Sequence, residues 1–143
     1  TTLADKRNKK NIEDKGLGLA FINNLRTVTY NLKNPADYPE ALLEKRFKTG
    51  DESRPTDNTK RQDGLIAQEV KAVLDELGVE WSGWSKNDSD GKQGIQYGAL
   101  TVPLIKAIQE QQEQINELRA QIKTMVALQN RISSDKTITE SDQ

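Results

Sequence analysis

A chain of 143 residues with 34% hydrophobic and 30% charged residues has the size of one domain but few core-forming side chains, so part of its stability is expected from association. Lys plus Arg number 21 and Asp plus Glu 22, a balance that gives no global pull towards nucleic acid or membrane. The absence of Cys and His excludes disulfides, thiolate metal sites and cysteine nucleophiles, and removes the commonest metal ligand and general base. Any catalysis must use Lys, Asp, Glu, Tyr, Ser, Thr or the backbone, and a hydroxyl nucleophile would need Lys or a carboxylate as its base. No apolar run approaches the ~20 residues of a membrane span, and Thr1–Lys10 has no signal-peptide core. A soluble chain is expected.

Along the chain, Thr1–Lys15 is polar and locally basic, with Lys6, Arg7, Lys9 and Lys10 close together; on its own this reads as a solvated arm. Gly16–Asn24 reads as a short helix or turn carrying Leu17, Leu19, Phe21 and Ile22. In Leu25–Leu32 the residues Val28, Tyr30 and Leu32 alternate with Thr27, Thr29 and Asn31, the pattern of a half-buried strand. Asn34-Pro35 marks a turn, and Pro39 opens a short helix through Ala41, Leu42, Leu43 and Phe47. Residues 49–62 have almost no apolar content and predict a surface loop. Gly64–Ala67 reads as a short buried strand. Gln68–Leu77 places Val70, Val73, Leu74 and Leu77 on one helical face before the stop at Gly78. Val79–Trp84 and Gly94–Tyr97 flank the polar stretch 85–93, a hairpin with a large tip. Trp81, Trp84 and Tyr97 are expected to pack a small sheet rather than form a binding platform. Asp88-Ser89-Asp90-Gly91 lacks the closing Glu of a calcium loop and reads as a turn. Residues 133–143 read as a frayed polar tail.

Between them, 101–132 carries Leu104, Ile108, Ile115, Leu118, Ile122, Met125 and Ile132, with Gln111 and Gln129 filling the spacing. Alternating steps of four and three make a heptad seam, with Ile108, Ile115 and Ile122 at one core position and Leu104, Leu118 and Met125 at the other. So narrow a stripe asks for partner helices. Ile at one position with Leu at the other favours two strands, an inference that the two Gln residues loosen.

Four separated stretches resemble one family, the self-cleaving intramolecular chaperone domains of bacteriophage tail spikes and tail fibres, found also in endosialidase-type spikes. The family's leading motif, Ser-Asp-x-Arg-x-Lys-x-Asn-Ile, aligns with Ala4 to Ile12. A Leu-x-x-Val-x-Tyr strand aligns with Leu25, Val28 and Tyr30, and a Gly-hydrophobic-Ile-Ala-Gln-Glu-Val stretch with Gly64–Val70. The fourth pattern aligns with Tyr97, Leu100, Pro103, Leu104 and Ala107–Gln112. Two departures stand out: Asn8 replaces the usual Leu, and Ala4 replaces the usual Ser.

The resemblance implies an α+β fold: a small antiparallel sheet with short helices, then a long C-terminal helix forming a parallel trimeric coiled coil. The implied organisation is an upstream stub at 1–3, a chaperone and self-cleavage domain at 4–100, a trimerisation helix at 101–132 and the tail at 133–143. The implied function is to bring three chains together, guide folding of the upstream fibre segments of the same polypeptide, and then cut itself off between Leu3 and Ala4. That activity would begin in the fibre precursor in the host cytoplasm and leave the mature fibre in the virion tail. The motif Ser, here Ala4, is the implied nucleophile and Lys9 its base; no cofactor or metal is implied. Asp5 is a supporting residue or a turn cap, and Asn11, Gln68 and Glu69 are possible lining residues. Residues 4 and 9 are separated by ~140° on a helix and lie on opposite faces of a strand, so the segment must bend or Lys9 must come from a neighbouring chain. The expected trimer interface is Leu104, Ile108, Gln111, Ile115, Leu118, Ile122 and Met125. Ala4 lacks a hydroxyl, so the chain is expected to be a Ser-to-Ala trap of the uncleaved form or a naturally inactive member. The 49–62 and 85–93 loops read as disordered or as client-contacting arms. The competing reading is a purely structural coiled-coil domain; a nucleic-acid adaptor using Lys6–Lys10 is disfavoured by the charge balance.

Overall fold

The computed structural model describes residues 3–34, 37–39 and 59–141. The short helix expected after Pro39, and the loop expected from Thr49 as far as residue 58, lie outside them.

The folded head is built around a few residues from separated segments. Helix α1 (Leu19–Ile22) delivers Phe21, and helix α2 (Ala67–Leu77) delivers Val70 and Leu74. Together with Leu17 and Trp81 these form the buried core. Phe21 is fully buried and meets Trp81 with ring centroids 5.4 Å apart and planes tilted by 56°, within the range that aromatic pairs prefer. Gly83 lies under the Trp81 ring, where a Cβ would come within 2.4 Å of ring carbons. Trp81 is therefore a packing residue, as expected, and not an exposed platform.

Two antiparallel two-stranded ladders flank this core instead of one sheet: β1 (Val28–Tyr30) with β2 (Gln62–Gly64), and β3 (Trp84–Lys86) with β4 (Gln93–Ile95). The strand expected at Gly64–Ala67 sits two residues earlier. Gly64 pairs with Val28, but the Leu65 N–H turns away and donates to the Tyr97 hydroxyl at 2.9 Å. Ile66 then accepts from Val70 N–H in the first bond of α2. The ladder ends because the chain is already committed to a helix. Strand β1 is shorter than its Leu25–Leu32 pattern for the same reason, since β2 offers it only Gln62–Gly64 as partners.

The stop of α2 follows the sequence expectation. Gly78 is left-handed at φ 66°, its N–H donates to Asp75 O, and Val79 N–H donates to Leu74 O, the paired bonds of a Schellman end that glycine adopts without steric cost. The hairpin tip contracts to Asn87–Lys92. Asn87 Oδ1 accepts from Ser89, and Asp90 Oδ1 accepts from Lys92 N–H, so both carboxamide and carboxylate serve the turn.

Helix α3 runs from Thr101 to Ser141, 41 residues or ~60 Å, well past Ile132. The frayed tail expected at 133–143 is thus corrected as far as Ser141. Pro103 sits in the first turn and no Gly or Pro follows it as far as Ser141, and Thr137, Thr139 and Ser141 donate their hydroxyls to Ser133 O, Asp135 O and Ile138 O. Polar side chains of this type bond back to the preceding turn without leaving the helix.

The head grips only the start of α3. Pro103 and Ala107 are buried there, with Lys106 and Glu110 half-buried on the same face. Gly18 permits this approach, since a Cβ would stand 2.0 Å from Glu110 Oε1 and 3.2 Å from Ala107 N. Glu110 Oε1 in turn accepts from Leu19 N–H at 3.3 Å, satisfying one of the orphan donors that open α1.

Candidate functional site

The leading segment carries the candidate cleavage residues on an exposed, tightly turned strip. Leu3 and Ala4 are exposed. A single 3-10 turn, Lys6–Asn8, follows, closed by Asn8 N–H to Asp5 O and Lys9 N–H to Lys6 O. Extended backbone resumes at Lys9. A bend thus stands between positions 4 and 9, as a contact within one chain requires. Lys9 itself is exposed.

Asp5 caps this turn. Its Oδ1 accepts from Arg7 N–H at 2.9 Å, and its carboxylate takes a two-pronged grip from the guanidinium, Nε to Oδ1 at 3.1 Å and Nη2 to Oδ2 at 2.6 Å. The Arg7 side-chain hydrogen bonds, with the backbone bond second, hold the Asp5 carboxyl below its usual range. Within the described residues Asp5 therefore faces Arg7 rather than Lys9. Asn11 takes a left-handed conformation, φ 52°, which Asn tolerates better than most residues; its placement is that of a turn residue.

Gln68 and Glu69 begin α2, in the head. Gln68 borders a shallow cavity of about 280 Å³ with Tyr30, Gln93, Ile95 and Tyr97. Glu69 accepts from Arg26 Nε at 3.0 Å and from its Nη2, and this side-chain pairing lowers its carboxyl below the ordinary range. Neither residue hydrogen-bonds to Ala4–Asn11. The candidates fall into two groups: Ala4, Asp5, Lys9 and Asn11 on the leading segment, and Gln68 and Glu69 at the head of α2.

The proposed interface residues share one fate. Every residue from Gln111 to Ser141 is exposed, among them Ile115, Leu118, Ile122 and Met125, the last at 67%. Leu104 and Ile108 are exposed as well. Among the described residues no cluster of His, Cys, Asp and Glu could hold a metal ion, and no helix is long and apolar enough to cross a membrane.

Sequence reasoning missed the joints. Glu110 lies off the seam, and its role shows only in a second spacing, Pro103, Lys106, Ala107 and Glu110, which marks another helix face. Arg61 spans the first ladder, donating to Thr29 Oγ1, Thr29 O and Asn31 Oδ1. Lys15 ties the leading segment to the head through Glu80 O at 2.8 Å. A lone cation in a polar stretch gives no such signal in advance.

A peptidase family model described as chaperone of endosialidase matches residues 4–79, just over half of the chain. The chain belongs to this chaperone of endosialidase family. The matched region begins at Ala4, takes in the leading segment, β1, β2 and α2, and ends before the hairpin and α3. No curated protein matches the chain.

Proposed function

We propose that this domain is a transient assembly clamp of a phage tail fibre or spike. It trimerises through α3, helps the upstream segments of the same polypeptide to fold, and is released by serine-dependent self-cleavage between positions 3 and 4. The family membership supports the chaperone role. The observation that carries the clamp is the bare seam: apolar residues repeat at heptad spacing along a 41-residue helix whose distal three-quarters is exposed throughout. A helix so exposed draws little support from its own head, and packing of the seam supplies what propensity does not.

In the cleavage-competent form a Ser stands at position 4. Its Oγ attacks the Leu3 carbonyl carbon while the Lys9 amine takes the hydroxyl proton. The peptide C–N bond breaks, the nitrogen of residue 4 leaves as an amine carrying a proton, and water hydrolyses the ester to leave a carboxyl on Leu3. Such an intramolecular step needs positioning, a base and oxyanion donors, and no cofactor. Ala4 removes the nucleophile, so the chain as it stands is a Ser-to-Ala form that keeps the junction intact. Exposure of Lys9 in a lone protomer supports a site that is finished by a neighbouring chain. The uncleaved precursor would act in the host cytoplasm, and its fibre would end in the virion tail.

The test places Ala4→Ser behind a longer upstream segment and follows the chain on a denaturing gel. A fragment ending at Leu3, lost with Lys9→Ala, supports the dyad. An intact chain in a verified trimer removes it and leaves the purely structural coiled coil, which the grip of Asp5 on Arg7 rather than Lys9 favours.

A further inference from the structure

Helix α3 has two working faces about a quarter turn apart. Pro103, Lys106, Ala107 and Glu110 face the head, and the seam starts with Leu104, one residue or ~100° round from Pro103. Leu104 also lines a mostly apolar groove of about 680 Å³, with Ile22, Leu25, Val28, Leu65 and Leu100. Among the described residues the head thus leaves an open groove on the flank from which a second helix would approach the seam.

Heptad register says what reaches it. With Ile108 and Ile115 at position a and Leu104 at d, Leu100 falls at g and Ile105 at e. In parallel bundles the g residue of one helix looks across at the e residue of its neighbour, and these positions usually carry Glu or Lys. Here both are apolar, and the next e position, Gln112, is polar again. Ile105 is 52% exposed in its own chain.

We propose that this groove is the seat of a second copy of the chain, with the first turns of the neighbour's α3 laid across its mouth and the neighbour's Ile105 entering between Leu100 and Leu104. The proposal rests on the reading of α3 as a parallel self-associating helix. It adds that association extends beyond the stem into the head and covers the β1–β2 side of each one. Every head would be gripped twice: by its own helix through Gly18 and Glu110, and by a neighbour's through the groove. Heads held in this way cannot swivel on the stem.

The chain has no cysteine, so pairwise trapping is unambiguous. Thr27 borders the groove and is exposed. Chains carrying Thr27→Cys are unfolded and refolded together with chains carrying Ile105→Cys, oxidised, and run without reductant, while sedimentation of the parent chain fixes the oligomer. The expected result is a disulfide-linked dimer in the mixture that neither variant forms alone. Ile105→Ser, a change at a side chain half in water, should weaken association roughly ten-fold or more. A parent trimer that gives no mixed disulfide and tolerates Ile105→Ser overturns the groove seat and leaves the trimer standing. A monomeric parent removes the trimer reading and the seat with it.

Discussion

The head and the distal part of α3 solve the same problem by opposite means. The head closes on itself: Phe21, Val70 and Leu74 are almost wholly shielded, and its turns are fastened by glycine, by side-chain caps and by Glu110. Beyond residue 110 the helix has an apolar seam as rich as the head's core, and all of it lies in water. One part buries its apolar residues within a single chain, whereas the other, on the proposed reading, would bury them only between chains. The difference suits the proposed clamp, since the head could be in place before partners meet and the stem would report that they have met.

The strongest way to break this comparison is to charge the seam. Ile115→Asp with Ile122→Asp would bury a ring of carboxylates at two layers of the bundle, at a cost of several kcal/mol for each. We expect a monomer at concentrations where the parent is a trimer, with most of the distal helical circular dichroism lost and tryptophan fluorescence from Trp81 and Trp84 retained. Loss of the fluorescence signature as well would show that the head depends on the stem. The converse change is Phe21→Ala, which empties the centre of the head. It should cost about 3–5 kcal/mol, read in denaturant titrations as an earlier head transition, while the stem transition keeps its concentration dependence.

The same divide governs how far sequence could lead. Periodicity reads through to structure where a single face decides the outcome: α2 with its Gly78 stop, the alternation at Val28–Tyr30 and the start of α3 all form where they are expected. It fails where a partner far along the chain intervenes. Gly64–Ala67 looks like a strand, but the Tyr97 hydroxyl takes the Leu65 N–H and Ile66 opens a helix. Residues 133–141 look like a tail because their polarity hides a helix whose carbonyls are met by Ser and Thr side chains. For the site, motif spacing located Ala4, Asp5 and Lys9 on one segment, and the cap at Asp5 is visible in its position before the turn. The choice of Arg7 as its partner is not, because Lys6, Arg7, Lys9 and Lys10 are equivalent cations until the backbone turns.

A smaller effect tests the joint between the two regions. Gly18→Ala puts a methyl group against Glu110 Oε1 and Lys106 Cγ, both able to move, and 3.2 Å from Ala107 N, which is backbone and is not. A loss of about 1–3 kcal/mol is expected from such overpacking, measured as a lowered melting temperature. Glu110→Gln leaves the steric fit alone and weakens only the charged acceptor of Leu19 N–H, so its loss should be the lesser of the two. If Gly18→Ala is tolerated without loss, the head and α3 are not held at this close spacing, and the head has no fixed seat on the helix.

The smallest expected effect comes from the ion pair that ties the segment before β1 to α2. Arg26 holds the Glu69 carboxyl below its ordinary range, chiefly by hydrogen bonding. A carboxylate depressed in the folded state binds fewer protons there than in the unfolded chain. Its contribution is therefore complete above the ordinary Glu titration near pH ~4.3 and fades as pH falls through the lower folded value. Both side chains are substantially exposed, 65% for Arg26 and 42% for Glu69, so water and salt screen the pair. Arg26→Met keeps the aliphatic stem and removes the partner. The melting difference between parent and variant should be small and constant near neutral pH, shrink as pH drops below ~4.3, and narrow further in high salt. A difference that persists unchanged into acid would mean that Arg26 stabilises the head through packing of its stem, and that the charge pair contributes nothing there.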